Sequence, residues 1–341
     1  MTYKEDMYTS TGVKFWRHTE QMMSYRQSTG HTVVSTHISP EGRCNLKCSY
    51  CSVANRKTTA TIDLDCIKDY VEKLQTRGLK AVILTGGGEP TVYNKFNDLV
   101  KWLKIDRGLS TALITNGTLS SRIDRDVWPM FSWIRVSVNR FDGFKTRISL
   151  PVGKLSDECV VGCSYVCSTV EDIDSLKDVS LVASNINAKY VRVLPNCLVD
   201  ESSLMSMHSK IDIGLSLLDD ERFFRQNKVY RPPNESICHQ SYFRPYLSEA
   251  HWRESGIPGS VYPCDSVVLN DSRAIFDEKY QLCRPEDILE FLDMRLKQGF
   301  NPTDDCKNCV FFKNVEMLGS WKRGNPCDPI VIHRIDHEEF V

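Results

Sequence analysis

Cys44, Cys48 and Cys51, in the run CNLKCSYC, are the residues of this chain whose types and spacing point most directly to chemistry. Thiols spaced CxxxCxxC, with Tyr50 just before the last, can hold three corners of a four-iron cluster. The fourth iron is then left without a protein ligand, open to bind a small molecule and pass it an electron. Zinc is the competing occupant of three close cysteines. A second signal is Gly86-Gly87-Gly88-Glu89-Pro90, directly after the strand-like AVILT (81–85). Consecutive glycines let the backbone approach a ligand closely because no Cβ intervenes. Cysteines after one strand and glycines after the next lie at the same end of a parallel sheet, where such folds gather their sites.

The elements that must position these motifs follow from periodicity. Short Val/Ile-rich runs at 32–39, 81–85, 111–116, 133–139, 159–167 and 190–195 read as strands. Stretches at 62–77, 95–105, 120–129, 171–185 and 201–218 read as helices between them. In the first, Ile62, Cys66, Tyr70 and Lys73–Leu74 share a face and Gly78 stands at the stop. The connection at 140–158 is the weak one, with Gly143, Pro151 and Gly153. Alternating β and α units imply a parallel sheet with right-handed crossovers, and six of them suit a partial barrel. Past Arg231-Pro232-Pro233-Asn234 the character changes. Extended runs at 241–248 and 259–270 suggest a hairpin, opened by Cys238 and carrying Cys264, at the end of GSVYPC, in its second run. A helix at 285–298, then CKNC (306–309), completes a smaller, cysteine-organised unit. Two thiols from the hairpin and two from CKNC close a four-ligand site, for which a zinc ribbon is the plain alternative.

The composition narrows the setting. Forty-three basic and 44 acidic residues leave a formal charge of −1, which advertises neither a nucleic-acid nor a membrane partner, though nucleic acid is not excluded. No apolar run approaches the roughly 20 residues that span a bilayer, and the start is not a secretory signal. Fourteen cysteines in a long chain, clustered at ligand spacing, fit a reducing, cytoplasmic setting with metal–sulfur sites better than a disulfide framework.

CNLKCSYC and GGGEP together resemble the cluster-binding and methionine-binding motifs of the radical SAM superfamily, over roughly residues 32–220. The resemblance implies an α/β fold, a partial (β/α)6 TIM-like barrel. It also implies that Cys44, Cys48 and Cys51 bind a [4Fe-4S] cluster whose open iron is chelated by S-adenosyl-L-methionine (SAM). Reductive cleavage would then yield a 5′-deoxyadenosyl radical that abstracts a substrate hydrogen. Tyr50 would lie near the adenine, and Gly86, Gly87, Gly88 and Glu89 would hold the methionine amino group. Asn116, Ser137 and Asn139 would complete the cofactor contacts. The region 236–312 resembles the twitch domain, a shortened SPASM domain, which implies one auxiliary [4Fe-4S] cluster on Cys238, Cys264, Cys306 and Cys309. Where the full SPASM pattern continues with cysteines, this chain has Val315 and Gly319; Cys327 and Cys283 are substitute ligands to consider.

Strand alternation alone adds Arg135 on the face of Ser137 and Asn139, Arg192 on the face of Leu194, and His37 on the face of Ser35. Cys159, Cys163 and Cys167 would stretch over about 26 Å at about 3.3 Å per residue, too far for one metal, and read as small buried side chains, as do Cys66 and Cys197. The expected domains are an N-terminal extension (1–31), the barrel (32–220), a twitch-like hairpin-plus-helix unit (221–327) and a tail (328–341). The short extension leaves no room for a leader-peptide or cobalamin domain, which favours a small-molecule, sugar or nucleotide-like substrate. A peptide, a nucleic-acid base, or a non-catalytic metal-stabilised binding role are the alternatives. An external flavodoxin- or ferredoxin-like electron donor is expected.

Overall fold

The computed structural model describes residues 3–54, 59–140, 144, 148–270, 278–296, 301–325 and 335–341. Gly143 and Cys327 lie outside the described residues.

Nine strands form one sheet: β1 (Ser35–Ser39), β2 (Ala81–Leu84), β3 (Ser110–Thr115), β4 (Phe131–Val138), β5 (Val160–Cys167), β6 (Tyr190–Pro195), β7 (Phe223–Arg225), β8 (Tyr246–His251) and β9 (Pro258–Tyr262). Their order is β7-β6-β5-β4-β3-β2-β1-β8-β9, parallel throughout except for the β8–β9 hairpin. This is an open, partial α/β barrel. The six strands read from the sequence are present, and β7 adds a seventh. A hairpin forms where one was expected, but its strands are 246–251 and 258–262 rather than 241–248 and 259–270, with 3-10 turns at His239–Tyr242 and Val267–Asn270. Its first strand continues the sheet by pairing in parallel with β1, Ile38 opposite Leu247.

Strand alternation sorts the side chains as expected. Ile134, Val136 and Val138 of β4 belong to the main core under the helices. Trp133 and Arg135 face the barrel interior, where Trp133 joins Ala81, Ile83, Ala112 and Phe340 in a second apolar cluster. The helix Leu64–Gln75 is capped by Asp63, which accepts from Asp65 N at 2.8 Å. Its buried face is Ile67, Tyr70, Val71 and Leu74, one step round from the face read through Cys66. Gly78, at φ +101°, ends it in a conformation that L side chains rarely adopt.

Three expectations need correction. Residues 120–129 make two short 3-10 turns, Ser120–Arg122 and Trp128–Met130, and no α-helix. Pro129 restricts Trp128 and removes a donor, and only Ile123, Val127 and Trp128 are buried. Cys238 does not open a strand: it precedes the 3-10 turn His239–Tyr242, and β8 starts at Tyr246. The helix read at 285–298 shortens to a 3-10 turn and Ile288–Leu292.

The barrel end opposite the cysteine loop is plugged by the chain's two ends. Tyr8 stacks on Tyr190 at 4.1 Å, and the Tyr8 carbonyl accepts from Arg135 Nη2 at 2.6 Å. Phe340 meets Trp133 edge-on at 5.4 Å, and Lys14 Nζ donates to the Phe340 carbonyl at 3.3 Å. Among the described residues no helix is long and apolar enough to cross a membrane.

Candidate active site and cysteine clusters

The cysteine loop leaves β1 through Ser39 and is fastened before its first thiol. Glu41, fully buried, accepts from Arg43 N at 2.9 Å, from Arg43 Nη2 at 2.7 Å and from Thr61 Oγ1 at 3.0 Å. Burial raises its carboxyl, but these hydrogen bonds outweigh burial and leave it below the usual carboxylate range. Cys44 is exposed, and Cys48 and Cys51 are half-buried. The turn is closed by Cys51 N donating to Cys48 O at 3.1 Å, and Leu46 N donates to Cys44 Sγ at 3.4 Å. Burial, then the neighbouring thiols, pushes Cys48 up to about 11; Cys44 is raised by burial, then by Glu89 and Cys51, against the Leu46 N–H.

The glycine loop is built to lie on that cysteine loop. A Cβ on Gly88 would stand 2.1 Å from the Arg43 carbonyl oxygen, and one on Gly86 1.9 Å from the Gly88 carbonyl oxygen. Gly88 N donates to Glu41 O at 3.0 Å, Glu89 N to Arg43 O at 2.9 Å, and Gly87 N to Ser39 Oγ at 2.7 Å. The glycines therefore permit backbone-to-backbone contact between the two loops. Glu89, 2% exposed, turns its carboxylate inward. It accepts from Thr91 Oγ1 at 2.7 Å, Thr91 N at 3.2 Å, Thr115 Oγ1 at 2.6 Å and Asn116 N at 2.8 Å. This ties the glycine loop to the end of β3, and burial pushes the carboxyl above its ordinary value against those four bonds.

Both loops open onto one cavity of about 970 Å³ at the C-terminal ends of the parallel strands. Its lining includes Cys44, Cys48, Tyr50, Cys51, Gly86, Gly87, Gly88, Glu89, Asn116, Ser137 and Asn139, so every residue read from the sequence for the first cluster and its cofactor borders the same space. Their uses differ. Asn116 spends its side chain on Asn45 Oδ1 at 2.9 Å and on Thr118. Asn139 is 8% exposed, and its Oδ1, with no hydrogen-bond partner among the described residues, is an open acceptor. Arg192 also lines the cavity. Arg135 stays below it, donating to Tyr190 OH at 3.0 Å and lying 4.9 Å from the Trp133 ring centroid. His37 sits in the barrel interior with Nδ1 3.7 Å from Asp265 Oδ2; burial drives its pKa down to about 3, so it is neutral.

Cys238, Cys264, Cys306 and Cys309 come together from three stretches of chain. Cys264 follows β9 by two residues, and burial, then Asp265 and the other three thiols, drives its pKa well up. Burial and neighbouring thiols likewise push Cys309 up to about 12, and Cys238 rises to about 11, chiefly by burial. Cys283 belongs elsewhere: it pairs with Val261, and after burial its pKa responds to Asp287 and Glu286. Val315 is a core residue, and a Cβ on Gly319 would stand 2.3 Å from a Glu235 carboxylate oxygen, so these positions serve packing. Cys163 and Cys167 are buried as expected, with burial pushing Cys163 up to about 12. Cys66 is half-buried. Cys197, also half-buried, borders the large cavity, unlike the buried role read for it.

The first set is three thiols at the edge of a ligand-sized cavity and the second four buried or half-buried thiols beside it, all sulfur donors of the kind iron takes. Among the described residues no three His, Cys, Asp or Glu side chains converge on one metal-ion position. Lys228 and Asp265, on the cavity wall nearest the four-thiol set, were not anticipated. Asp265 carried a signal, directly following Cys264; Lys228, in an irregular stretch, carried none.

Residues 38–141 match the radical SAM superfamily. The chain is 28% identical over 188 residues to an S-adenosylmethionine-dependent nucleotide dehydratase of Selenomonas ruminantium, which covers 53% of this chain and 62% of the relative. It is 30% identical over 116 residues to a GTP 3′,8-cyclase of Chlorobaculum tepidum, covering 33% and 35% of the two chains. The chain thus spans less than two thirds of either relative. A solved structure of anSMEcpe with bound AdoMet and a peptide superposes with a TM-score of 0.53 at 17% identity, covering 83% of this chain and 88% of that one. At that identity the likeness is one of fold.

Proposed function

We propose that this chain, a radical SAM protein by its domain at residues 38–141, reductively cleaves SAM and abstracts a hydrogen from a small-molecule, sugar or nucleotide-like substrate. The observation that carries the reading is the convergence of the CxxxCxxC thiols and the GGGEP loop on one cavity. Cys44, Cys48 and Cys51 would hold a [4Fe-4S] cluster, and the Gly86–Gly88 backbone would receive the methionine end of SAM. When bound, the cluster and SAM supply an electron and a 5′-deoxyadenosyl radical. The protein's own contribution is placement. Glu41 and Glu89 hold the two loops in register, Tyr50 walls the space beside the thiols, and Asn139 offers its open acceptor to a donor on SAM or substrate. An auxiliary cluster on Cys238, Cys264, Cys306 and Cys309 would lie next to the substrate wall, placed for electron transfer or substrate contact. A nucleotide-like substrate is supported by the two relatives, named for acting on nucleotides and on GTP. A flavodoxin- or ferredoxin-like protein would supply the reducing electron.

Anaerobic reconstitution with iron and sulfide, reduction with dithionite and addition of SAM test this reading. 5′-Deoxyadenosine is the expected product by chromatography. Its absence from a cluster-loaded sample would overturn the proposal.

A further inference from the structure

The wall of the cavity facing the four-thiol set carries two cations that the reading above leaves unused. Arg192 projects from β6 and donates from Nη2 to Ser164 Oγ on β5 at 3.0 Å, while its buried Nε has no hydrogen-bond partner among the described residues. Lys228 follows β7, and its backbone is held by His208, whose Nε2 donates to Lys228 O at 2.7 Å while its Nδ1 accepts from Arg225 Nη1 at 2.9 Å. Among the described residues neither cation makes an ion pair. Burial lowers both, Arg192 to about 9, and like charge lowers each further, against a raising pull from Cys197 and Asp265. A half-buried cation without a counter-ion is an expensive arrangement, and it persists where a ligand supplies the charge.

The local acids supply it only in part. Glu89 is committed to its four donors, and Asp265, whose charge reaches both cations, also holds Arg244 at 3.4 Å, one carboxylate among three cations. Nor does the four-thiol set call for both cations, because Arg244 is the one that bears on Cys238. Resting on the function proposed above, we infer that Arg192, Lys228 and Ser164 form an oxyanion subsite that seats a phosphate or carboxylate of the substrate beside the auxiliary cysteines. The planar guanidinium, a point-charge ammonium and a hydroxyl are the donor set that oxyanions take. Asp265, on the same wall, is placed to accept from a hydroxyl or amine of the same molecule.

The test is calorimetric titration of reconstituted, SAM-loaded enzyme with pyrophosphate, with acetate and with uncharged glucose. Prior loading with SAM keeps that cofactor's own carboxylate from competing. Saturable, salt-weakened binding of an anion and none of glucose is expected. Preference for pyrophosphate assigns a phosphorylated substrate and preference for acetate a carboxylate; either supports the subsite. Arg192→Met and Lys228→Met should each weaken anion binding by about tenfold or more, with iron content unchanged. Ser164→Ala, a gentler change, should weaken it about threefold, one hydrogen bond's worth. No saturable anion binding by the SAM-loaded enzyme, or undiminished binding by the variants, would each overturn the subsite. Because the readout is binding, anion capture without 5′-deoxyadenosine formation would sink the proposed function alone, and the converse would sink the subsite alone.

Discussion

Glu89 borders the cavity, yet its side chain is spent on holding a binding loop in place. Its carboxylate is 2% exposed and receives four donors, from Thr91 and from the end of β3. Truncation would leave Asn116 N, Thr91 N and two hydroxyls without an acceptor in a buried place. Glu89→Ala is therefore expected to cost about 2–4 kcal/mol in urea unfolding, since each orphaned buried donor costs about 1–3 kcal/mol and partial rehydration offsets some of the sum. Gly88 makes the complementary point. Its missing side chain is where the Arg43 carbonyl sits, one residue ahead of Cys44. Gly88→Ala must push the two loops apart, and is expected to lower iron retained at the first cysteine set while sparing the second. Iron and sulfide analysis after reconstitution checks it, and full retention would show that the loops do not depend on their contact.

At the scale of elements, the parallel barrel was legible because its strands are Val/Ile-rich and its helices amphipathic. β7 was not, because Phe223–Arg225 is too short for any period to show and is defined only by pairing with β6. The 120–129 segment misled because its length suited a helix, while Pro129 and its thin apolar content decided otherwise. In the site, the thiols and glycines were visible as motifs, whereas Lys228 and the roles of Glu41 and Glu89 arise from contacts between distant segments. The lead into β7 is itself held by charge. Asp220 accepts from Arg222 Nη2 at 2.6 Å and from Ser180 Oγ at 2.6 Å, joining β7 to the helix Leu176–Asn185. The Arg222 hydrogen bonds, helped by Ser180 and opposed by burial, bring its carboxyl down to about 2. A depressed carboxyl stabilises the fold above its unfolded pKa, and the contribution is lost as pH falls from about 4 through about 2. Asp220→Asn is expected to cost on the order of 1–2 kcal/mol at pH 7, and the gap from wild type should close toward pH 2. A gap independent of pH in denaturant melts would assign the loss to packing instead.

Across the whole molecule the two cysteine sets stand in different relations to the fold. Cys44, Cys48 and Cys51 occupy one short loop, fastened to the sheet by Glu41 and the glycine loop without any metal. Cys238, Cys264, Cys306 and Cys309 come from three stretches separated by a hairpin and a helix, so a cluster there would cross-link segments distant in sequence. Cross-linking by a metal centre adds its binding free energy to folding only where the ligands are otherwise free to separate. Replacing the first trio together by Ala is therefore expected to remove one cluster's iron and all SAM cleavage, with little change in the melting temperature of the iron-loaded protein. Cys264→Ser or Cys306→Ser should instead lower that melting temperature by several degrees, about the shift that 1–2 kcal/mol makes in a chain of this size. The pH dependence separates the iron-free from the iron-loaded protein. Burial raises the second set's thiols, Cys238 to about 11 and Cys309 to about 12, so the iron-free fold is favoured below the unfolded thiol pKa and loses that advantage as pH rises toward those values. Iron-free protein should therefore melt progressively lower from about pH 9 upward, while iron-loaded protein, its thiols already deprotonated as ligands, should lack that component. Parallel decline of the two forms would mean that the four thiols do not share a metal centre.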